Sequence, residues 1–394
     1  MTQREVFVLE GARTAFGAYG GGLAGQTATQ LGTVAAIEAL RRSGVTSTQV
    51  DNVVFGSVIQ SYNGAAYISR HIALAAGVPE STPALTVNRL CGSGLEAVRT
   101  ASRDILLGES EVALVGGAES MSQTPYVLSG VRFGTRMGDS VATDMLNQVL
   151  TDSYTHLPMG VTAENLAERY GIDRETQDEF ALLSHQRSAA ARNSGRLAEE
   201  IVPVRVETRK GVVEVAADEH IRPDSSLDRL AQLRSAFKTP GTVTAGNSSG
   251  INDGAGAFVI ASGDAVIEHK WRPLVRLVSF GVSGVDPRYM GIGPVPAIVQ
   301  ALKRGGLDMS DIALWEINEA FAAQYLSVER ELALPRERTN VNGGAISLGH
   351  PLGASGARLL LTLAYELRHR EERYGVASLC IGGGQGIAVV VERV

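Results

Sequence analysis

One cysteine and one histidine are the residues whose surroundings best fit covalent chemistry in this sequence. The second cysteine, Cys380, reads as a core cysteine or a disulfide partner for Cys91, which a reducing compartment disfavours. Cys91 lies in Leu90-Cys91-Gly92-Ser93-Gly94, after a strand-like run and at the start of a helix-like one. A thiol placed there meets unpaired backbone N–H groups and the positive end of the helix dipole, and both favour a thiolate nucleophile. The flanking glycines admit a substrate or another backbone at close range. The plain alternative is a small buried cysteine that only fills space. His350 sits in Ser347-Leu348-Gly349-His350-Pro351-Leu352-Gly353, a stiff Gly/Pro loop ahead of a second helical stretch. That setting suits a general base. The other histidines lack it; His185, in a charged helical stretch, is expected to be solvated.

Cys380 precedes Ile381-Gly382-Gly383-Gly384-Gln385-Gly386. A dinucleotide fingerprint would open a helix, whereas Val389-Val390-Val391 follows here as a strand. Gly246-Asn247-Ser248-Ser249-Gly250 matches the G-x-S-x-G of serine hydrolases. The segment after it, Asn252-Asp253-Gly254-Ala255-Gly256, is poor material for the helix that a nucleophile elbow needs. There is no P-loop pattern and no histidine pair at zinc-helix spacing, so no metal site is expected. Met159, Phe237, Met290 and Phe321 suit a ligand pocket or an ordinary core equally well.

The elements that must carry these residues alternate as strands and helices at both ends of the chain, the pattern of α/β layers. Val6 to Leu9, Val53 to Phe55, Ala84 to Val87 and Val112 to Val115 read as strands in the first half. Pro273 to Phe280, Ala313 to Ile317, Val376 to Cys380 and Ile387 to Val391 do so in the second. Between Ser122 and about Gly246 the texture is more charged and helical, with Glu164 to Arg169 and Glu175 to Arg192 followed by a β-like piece, Val202 to Val215. This reads as a lobe inserted between two halves.

The halves resemble each other. Val87-Asn88, Gly92-Ser93-Gly94, a helix and a strand ending Val115-Gly116-Gly117 are matched by Val341-Asn342, Ala354-Ser355-Gly356, a helix and a strand ending Ile381-Gly382-Gly383. The second copy is slightly longer, with the excess near His369-Arg370-Glu371-Glu372. Both helices are expected to be amphipathic: Leu95, Val98 and the Ile105-Leu106 pair share a face of the first, and Ala357, Leu360, Ala364 and Leu367 a face of the second. Two such helices packed at the centre would point both Gly-rich loops at one cleft and bring Cys91 and His350 together.

Composition excludes several classes. The 394 residues suffice for two or three domains, and 44% hydrophobic with 20% charged residues fits a globular protein. Forty-two acidic against 36 basic residues give a net charge of −6, which argues against a nucleic-acid partner. Only two cysteines favours a reducing compartment over a disulfide scaffold. Met1-Thr2-Gln3-Arg4-Glu5 carries no apolar segment, no run could span a membrane, and Val391-Glu392-Arg393-Val394 is not a peroxisomal signal. The expected location is cytoplasmic, with no membrane insertion.

Taken together, the motifs resemble the thiolases, acyl-CoA acyltransferases that make or cleave 3-ketoacyl-CoA. The resemblance is carried end to end by Val87 to Gly94, Gly117-Ala118-Glu119-Ser120-Met121-Ser122, Asn318-Glu319-Ala320-Phe321-Ala322, Asn342-Gly343-Gly344-Ala345 through Gly353, and Cys380 to Gly386. It implies an α/β fold of five α/β/α/β/α layers, built from two duplicated βαβαβαββ halves with an inserted loop domain. The implied division is 1–121 plus 250–272 for the N-terminal half, 122–249 for the loop domain and 273–394 for the C-terminal half. A homo-oligomer, dimer or tetramer, is implied as well.

Carried over residue by residue, the resemblance implies that Cys91 is the nucleophile that takes up the acyl group. It makes His350 the base that activates Cys91, and Cys380 the acid/base at the substrate α-carbon or the CoA sulfur. Asn318 would hold a water that forms one oxyanion hole with His350, and the backbone N–H groups of Cys91 and Gly382 would form another. Ser249 would contact the pantetheine, Arg222 the nucleotide end of CoA, and Phe237, Ala245, Met159, Met290 and Phe321 the pocket. Coenzyme A and its thioesters are then substrates, and no cofactor is called for. Biosynthetic acetoacetyl-CoA thiolases usually carry His-Met-Gly where this chain has Pro158-Met159-Gly160. That departure, with Trp315 to Asn318 and Gln324 to Arg330, inclines the expectation to degradative 3-ketoacyl-CoA cleavage, as in fatty-acid β-oxidation. The alternatives are acetoacetyl-CoA synthesis and, from another class, a catalytically idle acyl-CoA-binding scaffold.

Overall fold

The computed structural model describes residues 4–394; Met1-Thr2-Gln3, part of the segment in which no leader is expected, lie outside the described residues. The first half contributes β1 (Val6–Thr14), α1 (Ala28–Ser43), β2 (Asn52–Gly56), α2 (Ile68–Ala75), β3 (Ala84–Val87), α3 (Ser93–Leu107) and β4 (Val112–Ser120). After β4 come α4 (Met159–Tyr170), α5 (Arg174–Asn193) and a hairpin pairing Val204–Thr208 with Gly211–Val215. The chain then returns through β5 (Asn252–Ser262) to the second half: β6 (Val275–Gly284), α6 (Pro294–Gly305), β7 (Leu314–Ile317), α7 (Ala322–Leu332), α8 (Leu352–Arg370), β8 (Tyr374–Ile381) and β9 (Gln385–Arg393).

Strand order states the duplication. The main path of the sheet runs β7-β8-β9-β6-β1-β5-β4-β2-β3, so each half repeats one order outward from its first strand. The halves join where β1 and β6 pair antiparallel, Phe7 opposite Arg276 and Val8 opposite Val275. One strand of the second copy is reduced: the counterpart of β3 is a single bridge from Thr339 to Trp315. The repeated Val341-Asn342 therefore lies in a turn, and β6 begins at Val275 because Pro273 has no N–H to give the ladder.

Side-chain alternation along the strands sorts the core into three apolar layers. Val53 and Phe55 pack with Leu31, Ala35 and Ile72 of α1 and α2 on one outer face. Val54 faces inward and joins Leu95, Val98, Leu360, Leu379, Ile387 and Val389 around α3 and α8. Ala388 and Val390, alternating with those last two, face Ala297, Ile298 and Leu326 of α6 and α7 on the other outer side. Three helical layers separated by two sheet layers is the five-layer arrangement.

The central layer departs from the expected amphipathic pattern. From Leu352 to Leu367 α8 is buried on every side, so its polar stripe of Ser355, Arg358, Thr362 and Glu366 faces partners inside the protein, among them Glu316, Glu200 and Asn342, and not solvent. On α3, Leu106 is exposed while Leu95, Val98 and Ile105 are buried. The two helices touch backbone to backbone at glycines. A Cβ on Gly94 would lie 2.6 Å from the Ala357 nitrogen, and one on Gly356 would lie 2.5 Å from the Leu95 nitrogen.

The segment between β4 and β5 is tied to the halves by polar contacts. Ile201–Val202 adds to β1 in parallel. Arg13, fully buried on β1, pairs with Asp218 at 2.7 Å and Glu200 at 3.1 Å. Ser184 of α5 donates to Glu319, and Arg187 to the Thr339 carbonyl. No helix among the described residues is long and apolar enough to cross a membrane.

Candidate active site

Cys91 lies just ahead of α3, whose N-cap is Gly92. The residue before it, Leu90, is held at a φ of 46°, a left-handed conformation that costs a non-glycine residue energy and is fixed here by its neighbours. Its N–H donates to Asn88 Oδ1, and its carbonyl accepts from Ser93 Oγ. The turn aims Cys91 at a cavity of about 540 Å³ that His350 and Cys380 also line. Three residues remote in sequence therefore share one space; the meeting of Cys91 with His350 is the one the duplicated Gly-rich turns predict.

His350 is oriented by its own loop. Its backbone N–H donates to Asn252 Oδ1, and its Nδ1 lies 2.6 Å from Ser355 Oγ. Because the Ser355 hydroxyl donates to the Pro351 carbonyl, it accepts from Nδ1–H. This leaves Nε2 unprotonated, 3.4 Å from Asn318 Nδ2. Burial, with the Arg358 guanidinium adding to it, pulls His350 down to about 3, so the ring is neutral at physiological pH. Arg358 is itself held in the central layer by Glu316 at 2.9 Å.

Burial also dominates the thiols. Cys91 is pushed up to about 11, against the opposing pull of the Gly382 and Cys91 N–H groups. This corrects the sequence expectation: desolvation outweighs the helix start, and the resting residue is a thiol. Cys380, at the end of β8, is raised further by burial and by the neighbouring Cys91. A neutral thiol, a neutral imidazole with a free Nε2 and a second thiol together can pass protons without a resident charge.

All seven residues named for ligand contact line this cavity: Met159, Arg222, Phe237, Ala245, Ser249, Met290 and Phe321. Phe237 meets Phe321 edge-on at 6.0 Å, and Gly160 leaves the room its ring needs against α4. Ser249 is placed by a stitch in which its N–H donates to the Ala320 carbonyl and Ala322 N–H donates to that of Asn247. The serine-hydrolase pattern is thus a loop followed by a strand, and Ser248 Oγ donates to the Thr244 carbonyl. Asn318 and Gly382 stand behind the wall, each reaching one reacting residue; Asn318 Oδ1 has no partner among the described residues.

Sequence reasoning missed several residues. His185 is buried, because α5 packs against the chain near Arg222, whose N–H donates to His185 Nδ1; burial pulls it down to about 4. His220 and Asn147 line the cavity, and Ser355 and Asn252 orient the base. Only Ser355 had a signal, its place one turn after His350 on a helix. Pro158 is on the wall and His156 is not.

Two family models match nearly the whole chain: the N-terminal domain of thiolase over residues 6–264 and the C-terminal domain of thiolase over 271–393. The chain belongs to the thiolase family. Among its relatives, the mitochondrial 3-ketoacyl-CoA thiolase of Homo sapiens is 53% identical over 390 residues, 99% of this chain and 98% of that one. The β-ketothiolase BktB of Cupriavidus necator is 49% identical over 392 residues, covering 99% and 100%. A crystal structure of the human mitochondrial enzyme in complex with CoA superposes with a TM-score of 0.96 at 52% identity, covering 100% and 98%. The thiolase fold read from the motifs is therefore the fold of this chain.

Proposed function

We propose that this thiolase catalyses CoA-dependent cleavage of 3-ketoacyl-CoA to acetyl-CoA and a shortened acyl-CoA, as an acyltransferase. The observation that carries this reading is the convergence of Cys91, His350 and Cys380 on one cavity. With the substrate's pantetheine along Ser249 and its acyl chain among Met159, Met290 and Phe321, the keto carbon faces Cys91. The Cys91 proton passes to Nε2 of His350, and sulfur bonds to that carbon. The carbon–carbon bond then breaks, leaving an acyl group on Cys91 and the enolate of acetyl-CoA. The new N–H of His350 and an Asn318-held water face the enolate oxygen, and the N–H groups of Cys91 and Gly382 face the thioester oxygen. Fixed donors of this kind are worth about 3 kcal/mol each in a dry site.

Cys380 gives its proton to the enolate carbon, and acetyl-CoA leaves. The Cys380 thiolate then takes the proton of incoming CoA, whose sulfur attacks the thioester; the shortened acyl-CoA leaves and Cys91 recovers its proton from His350. Every proton moves between Cys91, His350, Cys380 and the two substrates, so the scheme calls for no cofactor beyond CoA as substrate. Because His350 loses its free Nε2 only as pH falls towards about 3, kcat/KM is expected to show no histidine break between pH 5 and 7. A midpoint near pH 6.5 that vanishes in His350→Asn would contradict this.

Degradative cleavage is preferred over acetoacetyl-CoA synthesis because Pro158, with no polar group on its side chain, occupies the cavity wall. Thiolysis rates over 3-ketoacyl-CoA substrates of increasing length test the choice. Turnover extending to medium and long chains is expected, and activity confined to acetoacetyl-CoA would reverse the preference. The homo-oligomer belongs to the same reading, supported by the exposed apolar residues Phe133 and Met137 and the exposed hairpin of Tyr126–Leu128 with Ala142–Asp144. Light scattering distinguishes dimer from tetramer. Cytoplasmic location is part of the proposal through the two cysteines alone, and the names of the mitochondrial relatives stand against it.

A further inference from the structure

One fully buried carboxylate outside the proton-transfer scheme touches the supports of both reacting loops. Glu119, near the end of β4, is 0% exposed. Its Oε2 accepts the N–H groups of Val58 at 3.0 Å and Gly353 at 2.9 Å, and its Oε1 accepts that of Ile59 at 3.1 Å. Gly353 lies in the first turn of α8, three residues after His350. The approach is close enough that a Cβ on Gly353 would sit 3.0 Å from Glu119 Oε2.

On the other side the path leads to Cys91. The Val58 carbonyl accepts from Asn88 Nδ2 at 3.2 Å, and Asn88 Oδ1 accepts the Leu90 N–H at 2.9 Å. Leu90 is the residue at positive φ that turns Cys91 into the cavity. Ser57 N–H donates to the Val87 carbonyl, fixing the same two loops one step earlier.

We propose that Glu119 is a positioning residue that holds the Cys91 loop and the His350 loop in one register. The inference rests on the thiolase reading of the cavity. Three N–H donors converge on two oxygens, and only a carboxylate offers acceptors to all of them. A glutamine would turn its NH2 toward at least one donor, leaving a buried N–H unpaired and shifting the segment that carries it. Burial pushes Glu119 up to about 7 against the pull of its N–H donors, and in its charged form it opposes a thiolate at Cys91, so removing that charge without movement would make the thiol more reactive, not less.

The two effects differ in sign, and that difference is the test. Glu119→Gln and Asn88→Ala are compared with wild type in thiolysis of a 3-ketoacyl-CoA, together with the pH dependence of Cys91 alkylation by iodoacetamide. Asn88 is exposed, so its variant tests the relay even where Glu119→Gln does not fold. For Glu119→Gln we expect kcat to fall by roughly 100-fold, the scale of a displacement near 1 Å, with KM within about threefold. Asn88→Ala is expected to lose about tenfold in kcat with the same KM pattern, since two neutral hydrogen bonds at an exposed residue are at stake. Alkylation at neutral pH is expected to be no faster in either variant. Full kcat in the folded Glu119→Gln protein, or in Asn88→Ala where the former fails to fold, would overturn the proposal. So would faster alkylation with kcat retained. An inactive wild type would instead remove the thiolase reading beneath it.

Discussion

Cys91→Ala is expected to abolish thiolysis, lowering kcat by about 10⁴-fold or more while the protein still folds and binds CoA. The size follows from what is lost. Without the sulfur there is no covalent acyl intermediate, and the remaining route is direct attack by CoA on the ketone, with the same enolate to expel but no nucleophile held against the keto carbon. His350 cannot substitute, because its Nε2 is the acceptor that Cys91 needs and its Nδ1–H is committed to Ser355. The cost to stability is small: one atom is removed at a cavity wall, worth about 1 kcal/mol. Residual activity near wild type would mean that the acyl group travels through another residue.

Cys380→Ala is expected to separate two reactions that the wild type runs together. Cleavage of the carbon–carbon bond should fall by about 10³-fold, within the usual range for loss of a positioned acid. Its product is a carbon-centred enolate that must be protonated before it leaves. Acylation of Cys91 by acetyl-CoA should suffer far less, because the leaving group is a thiolate of pKa about 8.5 that survives in water. Cys380 is buried and neutral beside Cys91, a state that suits an acid awaiting a carbanion and not a second nucleophile. Equal loss of both reactions would show that Cys380 supports the Cys91 loop and does not move a proton.

The meeting of Cys91 and His350 in one cavity was legible because Gly-rich turns announce themselves, whereas Cys380 entered only through the resemblance. Leu90 to Gly94 and Gly349 to Gly353 each set a reactive side chain at the mouth of a helix, and the internal repeat says that the two mouths meet. The layered fold was legible for the same reason, once alternating strands such as Val53-Val54-Phe55 are read two-sidedly. Burial of polar residues was not legible. His185 sits among charged residues in the sequence, yet tertiary packing closes over it. Glu119 was visible only as one letter of a motif; that three backbone N–H groups from two distant loops would converge on it is a property of the assembled layers. The all-round burial of α8 escaped periodicity analysis because its polar face, Ser355, Arg358, Thr362 and Glu366, looks like a solvated one until the partners that cover it are known.

Most directly, the account stands on an acyl group bonded to Cys91. The purified protein would be mixed with a medium-chain 3-ketoacyl-CoA in the absence of free CoA, quenched in acid, digested and analysed by mass spectrometry. The prediction is a peptide containing Cys91 that carries the substrate's acyl chain shortened by two carbons, with an equivalent of acetyl-CoA in the supernatant. Adding CoA before the quench should remove the label as acyl-CoA. An unmodified Cys91 peptide alongside released acetyl-CoA, or a label on Cys380, would contradict the mechanism at its centre.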